Sequence, residues 1–336
     1  MKIVIFADSI RPFEHITGLA TIAEKTKNHK IIFISKSKSL CKKINIRTKN
    51  IPNISNYVQK ASRDIFLILS ADILFGSPDN WRKQILRFTS MFMRRRYSIH
   101  LRPGKVTKPS GFLSFKRESL GNLFTQFVSY KIFNTITLVA DKSDMFYCKS
   151  AYSKPFPALK IFPSPKLFAM SQKKVKRKSS RDIVLFSPTH RNFGERSPLD
   201  NLLLSEQFLK KLQINDLKFA YTTHPSGFKF DKTKSFAKYF DGDWSKIKCV
   251  VTDYSSIGAD FSLLGGNVIY YIPDVINFFS ESGEDFFFKN EIKDKILAYT
   301  QDELINKIKK VKHPPCLREK EQLDTYFDNL YRVIQE

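Results

Sequence analysis

Cys249-Val250-Val251-Thr252-Asp253-Tyr254-Ser255-Ser256-Ile257-Gly258-Ala259-Asp260-Phe261 decides how this chain is read. An apolar run, Cys249–Val251, is expected to be a buried strand. It passes through Asp-Tyr-Ser-Ser into a small-residue segment that reads as a helix start. Such a junction sets two hydroxyls and a row of backbone N–H groups at a helix N-terminus. Unpaired N–H groups and the helix dipole both favour negative charge there, so the segment fits a phosphate. The same residues also suit plain helix capping by Asp253, which needs no ligand.

Working outward, further short apolar runs flank this one at Asp182–Phe186, Lys218–Thr222 and Asn267–Tyr271. Asp302–Lys310 and Glu319–Val333 carry helical periodicity. The N-terminal half repeats the pattern, with expected strands at Lys2–Phe6, Lys30–Ser35, Asp64–Leu69 and Asn134–Val139 and a helix at Thr17–Lys27. Alternation of strands and helices predicts a parallel α/β architecture. Ser171–Arg181 (SQKKVKRKSSR) is basic and lacks core residues, so it reads as a linker. The expected division is an N-terminal acceptor-facing and membrane-facing domain over 1–170, a linker over 171–181, a C-terminal domain over 182–315 and a terminal helix over 316–336. Two α/β domains define a cleft between them, and ligands of open α/β sheets sit beyond the C-terminal ends of strands.

Composition narrows the partners. The 336 residues are 42% hydrophobic, enough for a sizeable core in each of two domains. The formal charge of +25 calls for an anionic partner or reflects a Lys-rich composition. No nucleic-acid-binding motif accompanies it, and the basic residues are dispersed rather than interleaved with aromatics, so no nucleic acid is expected as partner. Cys41, Cys148, Cys249 and Cys316 have no metal-ligand spacing and suit a reducing cytoplasm. The N-terminal apolar run is broken by Asp8 and is too short for a signal peptide. No run of about 18 uncharged apolar residues exists, so a soluble or peripheral protein is expected.

Three motifs fall at strand ends of the C-terminal half. Ser187-Pro188-Thr189-His190-Arg191-Asn192 offers hydroxyls, an imidazole and a guanidinium, which suit phosphate or an ordinary polar turn. In Thr223-His224-Pro225 the proline holds His224 extended, where it can donate to a phosphate, act catalytically by protonating a leaving group, or lie in a solvated loop. Asp253, Ser255 and Ser256 complete the set. In the N-terminal half, His100 ends a short apolar strand before a Pro/Gly/Lys loop, as a general base or as a loop histidine. Lys83–Tyr97 (KQILRFTSMFMRRRY) combines apolar residues with Arg94, Arg95 and Arg96, which fits a basic amphipathic helix on an anionic bilayer or a core-packed helix with a solvated end.

Taken in order, Ser187–Asn192, Thr223–Pro225 and Thr252–Ser256 with Asp260-Phe261 resemble the motif series of the CDP-glycerol glycerophosphotransferase family, the teichoic acid primases and polymerases. His100-Leu101-Arg102-Pro103 with Lys105 and Gly111 resembles that family's histidine segment, with Leu101 in place of its glycine. Phe162–Lys166 resembles the segment before its linker, without the family's Arg-Asn. The resemblance implies a GT-B fold of two Rossmann-like domains. It implies transfer of a polyol phosphate from a CDP-activated donor to a hydroxyl of a cell-surface polymer or lipid-linked acceptor, with release of CMP. His100 would then be the base. His224, Ser255 and Ser256 would hold the diphosphate, with Arg191 a further contact, and Ser187, Thr189 and Asp253 would complete the donor site. No cofactor and no divalent metal are expected, because these groups and the helix dipole can neutralise the leaving CMP. Asp241-Gly242-Asp243 reads as a turn. Location at the inner face of the bacterial membrane is expected, with Arg94–Arg96 as contacts. The alternative is a GT-B glycosyltransferase using a CMP-sugar or other nucleotide-sugar in capsule or lipopolysaccharide synthesis.

Overall fold

The computed structural model describes residues 1–7, 13–26, 28–35, 37–39, 41–42, 44, 54–58, 67, 70–75, 97–101, 135–151, 158–171, 182–189, 196–212, 217–222, 238–240, 244–282, 296–311 and 325–336. The chain divides into two compact units. One is formed by the N-terminal half together with the last helix, the other by Met170–Glu319 and a short segment before it.

In the first unit, β1 (Lys2–Phe6), β2 (Lys30–Ser35), β3 (Ile54–Val58), β4 (Ile73–Phe75), β5 (Tyr97–His100), β6 (Thr135–Val139) and β7 (Ala158–Ile161) form one sheet. Its order is β3-β2-β1-β4-β5-β6-β7, and every pairing is parallel. Ile3 pairs with Ile31 on one side and Ile73 on the other, which fixes the register of the central strands. Such strands are covered on both faces, so they read as unbroken apolar runs rather than alternating ones. Helices α1 (Phe13–Lys25), α2 (Lys142–Ala151) and α3 (Pro165–Ser171) follow β1, β6 and β7.

The apolar run Ile65–Phe75 resolves differently from expectation. Of the expected strand Asp64–Leu69 only Leu67 is among the described residues, and it is helical; a strand lies further on, at Ile73–Phe75. Asp72 marks the strand's start by accepting the backbone N–H of Lys2 at 2.7 Å. A short apolar run supplies no period that separates a helical turn from a strand. Helix α1 begins at Phe13, four residues before the expected Thr17.

The second unit holds β8 (Ile183–Ser187), β9 (Lys218–Tyr221), β10 (Lys238–Tyr239), β11 (Ile247–Thr252), β12 (Asn267–Tyr271) and β13 (Leu297–Ala298). Their order is β10-β9-β8-β11-β12-β13, again all parallel. Helices α4 (Pro198–Leu203), α5 (Glu206–Leu212), α6 (Ser256–Leu263), α7 (Val275–Ser282) and α8 (Gln301–Lys310) complete the described part. Capping boxes start two of them: Ser197 with Asp200 at α4, and Thr300 with Glu303 at α8. The core of this unit gathers Val184, Phe186, Val251 and Ile269 from the sheet with Leu203, Phe208, Leu304 and Ile308 from the helices.

The terminal helix α9 (Tyr326–Gln335) packs in the first unit's core. Tyr326 meets Phe162 and Phe168 edge-on, each at 5.0 Å between ring centroids, and its hydroxyl donates to the Pro163 carbonyl at 2.9 Å. Gly18 of α1 lies against the Pro165 carbonyl so closely that a Cβ there would collide with the oxygen. No helix among the described residues is long and apolar enough to cross a membrane.

Candidate active site

The chain starts the second sheet at β8 and builds outward through β9 and β10. It then returns to the other side of β8 with β11 and continues to β12 and β13. The strand order therefore reverses between β8 and β11. In open α/β sheets, loops leaving such a pair part in opposite directions and leave a crevice beyond the C-terminal strand ends. Both polar segments that follow these strands, Ser187-Pro188-Thr189 and Asp253–Ser256, arise at that point.

Side-chain hydrogen bonds tie the two segments together. The Thr252 hydroxyl donates to the Ser187 carbonyl at 2.6 Å, which closes the strand pair at its last residues. Asp253 follows, and its carboxylate is fully buried. One oxygen, Oδ1, accepts the Thr189 N–H at 2.8 Å, the Thr189 hydroxyl at 2.5 Å and the Tyr254 N–H at 2.7 Å. Charge-assisted bonds of this kind are among the stronger ones in proteins. Asp253 thus fastens the β11 loop to the β8 loop.

Helix α6 is capped by Ser255, not by Asp253. The Ser255 hydroxyl accepts from the Ile257 N–H at 3.4 Å, and its backbone is extended, as a cap residue requires. Asp253 is unavailable for capping because its oxygen is engaged across the strands. Ser255 and Ser256 are half-exposed, whereas Asp253 and Tyr254 beside them are buried. The turn therefore buries Asp253 and Tyr254 and leaves its two serines half-exposed at the start of α6.

Close packing holds α6 in place. A Cβ on Gly258 would stand 2.8 Å from Thr252 Cγ2 and 2.9 Å from the Tyr270 hydroxyl. Only glycine lets the first turn of the helix lie so near the strand ends. Burial, with Asp260 nearby, pushes the Tyr270 phenol well above its usual range, so it stays neutral. Burial also pushes the Cys249 thiol up to about 12, with Lys248 acting weakly the other way. Cys249 is thus a neutral packing residue rather than a nucleophile.

Ser187, Thr189, Asp253, Ser255 and Ser256 are accordingly brought to one pair of strand ends. The Ser187 side chain is buried at the end of β8, and Thr189 is half-buried. His190, Arg191 and His224 lie outside the described residues, as do the linker 172–181, Asp241–Asp243 and Arg94–Arg96. Thr222 is described, and its N–H donates to the Phe186 carbonyl of β8 at 2.9 Å. His100 is the last residue of β5 in the other unit, with its side chain outside the described residues. Tyr97, expected in the basic amphipathic helix, is the first residue of β5.

One residue of this site was not singled out by its sequence. Tyr254 is buried, its ring stacks on Phe278 at 3.9 Å and 8°, and its hydroxyl donates to Asp274 Oδ1 at 3.0 Å. The available signal was an aromatic residue inside a polar turn, which has to go somewhere.

Several solved structures share the fold. A structure of the wall teichoic acid polymerase TagF matches with a TM-score of 0.60 and 14% identity, over 99% of this chain and 82% of that one. A TagF variant soaked for 15 minutes with CDPG matches with a TM-score of 0.60 and 12% identity, over 99% and 88%. The chain is thus a GT-B protein with two parallel-sheet units. No curated protein matches it in sequence. Residues 167–328, which include β8, β11 and the whole of the Asp253-braced turn, match the profile of the family described as CDP-glycerol:poly(glycerophosphate) glycerophosphotransferase.

Proposed function

We propose that the chain transfers a polyol phosphate, glycerol phosphate or ribitol phosphate, from a CDP-activated donor to a hydroxyl of a cell-surface polymer or lipid-linked acceptor. The observation that carries this reading is the turn Asp253–Ser256, held by Thr189 at the reversal point of a parallel sheet, inside the segment that matches the family. A diphosphate suits that turn because hydroxyls and helix N–H groups are fixed there before the ligand arrives, and little reorganisation accompanies reaction.

In this mechanism the acceptor hydroxyl attacks the phosphorus next to the polyol. A new P–O bond forms, the bond from that phosphorus to the bridging oxygen breaks, and CMP leaves with that oxygen. His100 takes the proton of the acceptor hydroxyl. Ser255, Ser256, His224 and Arg191 stabilise charge on the departing CMP, while Ser187, Thr189 and Asp253 keep the loops in register. The enzyme acts at the inner face of the cell membrane, with Arg94, Arg95 and Arg96 drawn to anionic lipid. Equal sedimentation of wild type and the triple Arg→Ala variant with anionic vesicles would remove that contact from the account.

The test is CMP release with CDP-glycerol, CDP-ribitol and a panel of CMP-sugars. Release with a CDP-polyol, falling about 10²–10⁴-fold in His100→Ala, is expected. Release with CMP-sugars alone would replace this reading by a glycosyltransferase.

A further inference from the structure

We propose that Tyr254 is a positioning residue of the anion-binding turn, acting through Asp274 and Phe278. The inference rests on reading this turn as the donor-phosphate site. Two consecutive side chains of the turn point into the protein and grip different neighbours. Asp253 reaches Thr189 in the loop after β8. Tyr254 reaches the other way, to the loop after β12, where Asp274 accepts its hydroxyl at 3.0 Å and Phe278 of α7 stacks on its ring at 3.9 Å. The turn is therefore clamped from both flanking strands of the sheet, β8 and β12, which are the two neighbours of β11.

The geometry explains why both grips are needed. Asp253 ties the junction to the β8 side only. A second anchor at the next residue, made of a directional hydrogen bond and a flat ring contact, ties it to the β12 side as well. Ser255 caps α6 and Ser256 begins it, so their orientation, and that of the first N–H groups, follows from where residues 253 and 254 are pinned. The ring is fully buried, so it sits behind the turn rather than against a bound anion. Its effect on the ligand is through the serines. Burial, and less strongly the Asp274 carboxylate, raise the Tyr271 phenol above its usual range.

Tyr254→Phe keeps the stack and removes the bond to Asp274, and Asp274→Asn weakens the same bond from its other end. Each is expected to raise the KM for the CDP-polyol, and the Kd for inorganic pyrophosphate measured by calorimetry, by about tenfold, the scale of one hydrogen bond. The acceptor KM should stay unchanged and the melting temperature should move by only a few degrees. The double variant should be no weaker than the weaker-binding single one, because both act on one contact. Unchanged pyrophosphate and donor affinity in Tyr254→Phe overturns the proposal, as do additive losses in the double variant. Parallel loss of donor affinity, acceptor affinity and melting temperature assigns a merely structural role and overturns it too. Wild-type binding of pyrophosphate without turnover of any CDP-polyol would refute the donor reading while leaving Tyr254 tested on pyrophosphate. Wild type that binds neither ligand contradicts both.

Discussion

Two strand-end turns, one in each unit, are fixed by comparable effort and to opposite ends. In the first unit the turn Phe162–Lys166 after β7 is held by the Tyr326 hydroxyl on the Pro163 carbonyl, by Gly18 beneath Pro165 and by His15, whose Nδ1 lies 3.2 Å from the Ser164 hydroxyl. His15 of α1 is fully buried and Lys166 of the turn nearly so, while Ser164 is half-exposed. In the second unit Asp253 and Tyr254 turn inward, and Ser255 and Ser256 remain at the surface. The difference lies in the anchors. The first turn is gripped by Tyr326, Gly18 and His15 from other elements. The second is gripped by two of its own consecutive side chains and leaves two adjacent hydroxyls half-exposed at a helix start.

The largest effect that would break this contrast is expected at Asp253. Replacing it with Ala leaves the Thr189 and Tyr254 N–H groups without their acceptor in a buried place. The expected cost is about 3 kcal/mol of stability, from bonds to a charged group worth about 1.5–3 kcal/mol each, together with loss of donor binding. Denaturant unfolding of Asp253→Ala checks it, and a loss well under about 1 kcal/mol would show that the carboxylate does not brace the loops. The smaller effect is expected at Tyr326. Tyr326→Phe removes one neutral hydrogen bond and should cost about 1 kcal/mol, with CDP-polyol affinity unchanged. A shift in donor affinity in that variant would give the first unit's turn a part in binding and blur the distinction.

Much of the fold was legible because buried parallel strands are nearly pure apolar runs. Lys2–Phe6, Lys30–Ser35 and Asn267–Tyr271 were read with their observed boundaries. The strand Ile73–Phe75 was not read from the sequence, since three apolar residues carry no period and only pairing with β1 defines it. The serines of the site were legible as a strand-to-helix junction. The bracing work of Asp253 was not, because it depends on β8 lying beside β11, 65 residues apart in the case of Ser187 and Thr252. Tyr254 was hidden for the same reason, its partner Asp274 being 20 residues on in the loop of another strand. Local pattern reveals which residues could meet an anion. Topology decides which ones hold them there.

The central claim is that the outward serines of the second unit receive the diphosphate of a CDP-activated donor. Its most direct test is calorimetric titration of CDP-glycerol into the full chain and into the Ser255→Ala, Ser256→Ala double variant, both checked for equal folding. The account predicts saturable binding to the wild type and affinity at least about tenfold weaker in the variant, the scale of one or two lost hydrogen bonds. Equal affinity in both would contradict it.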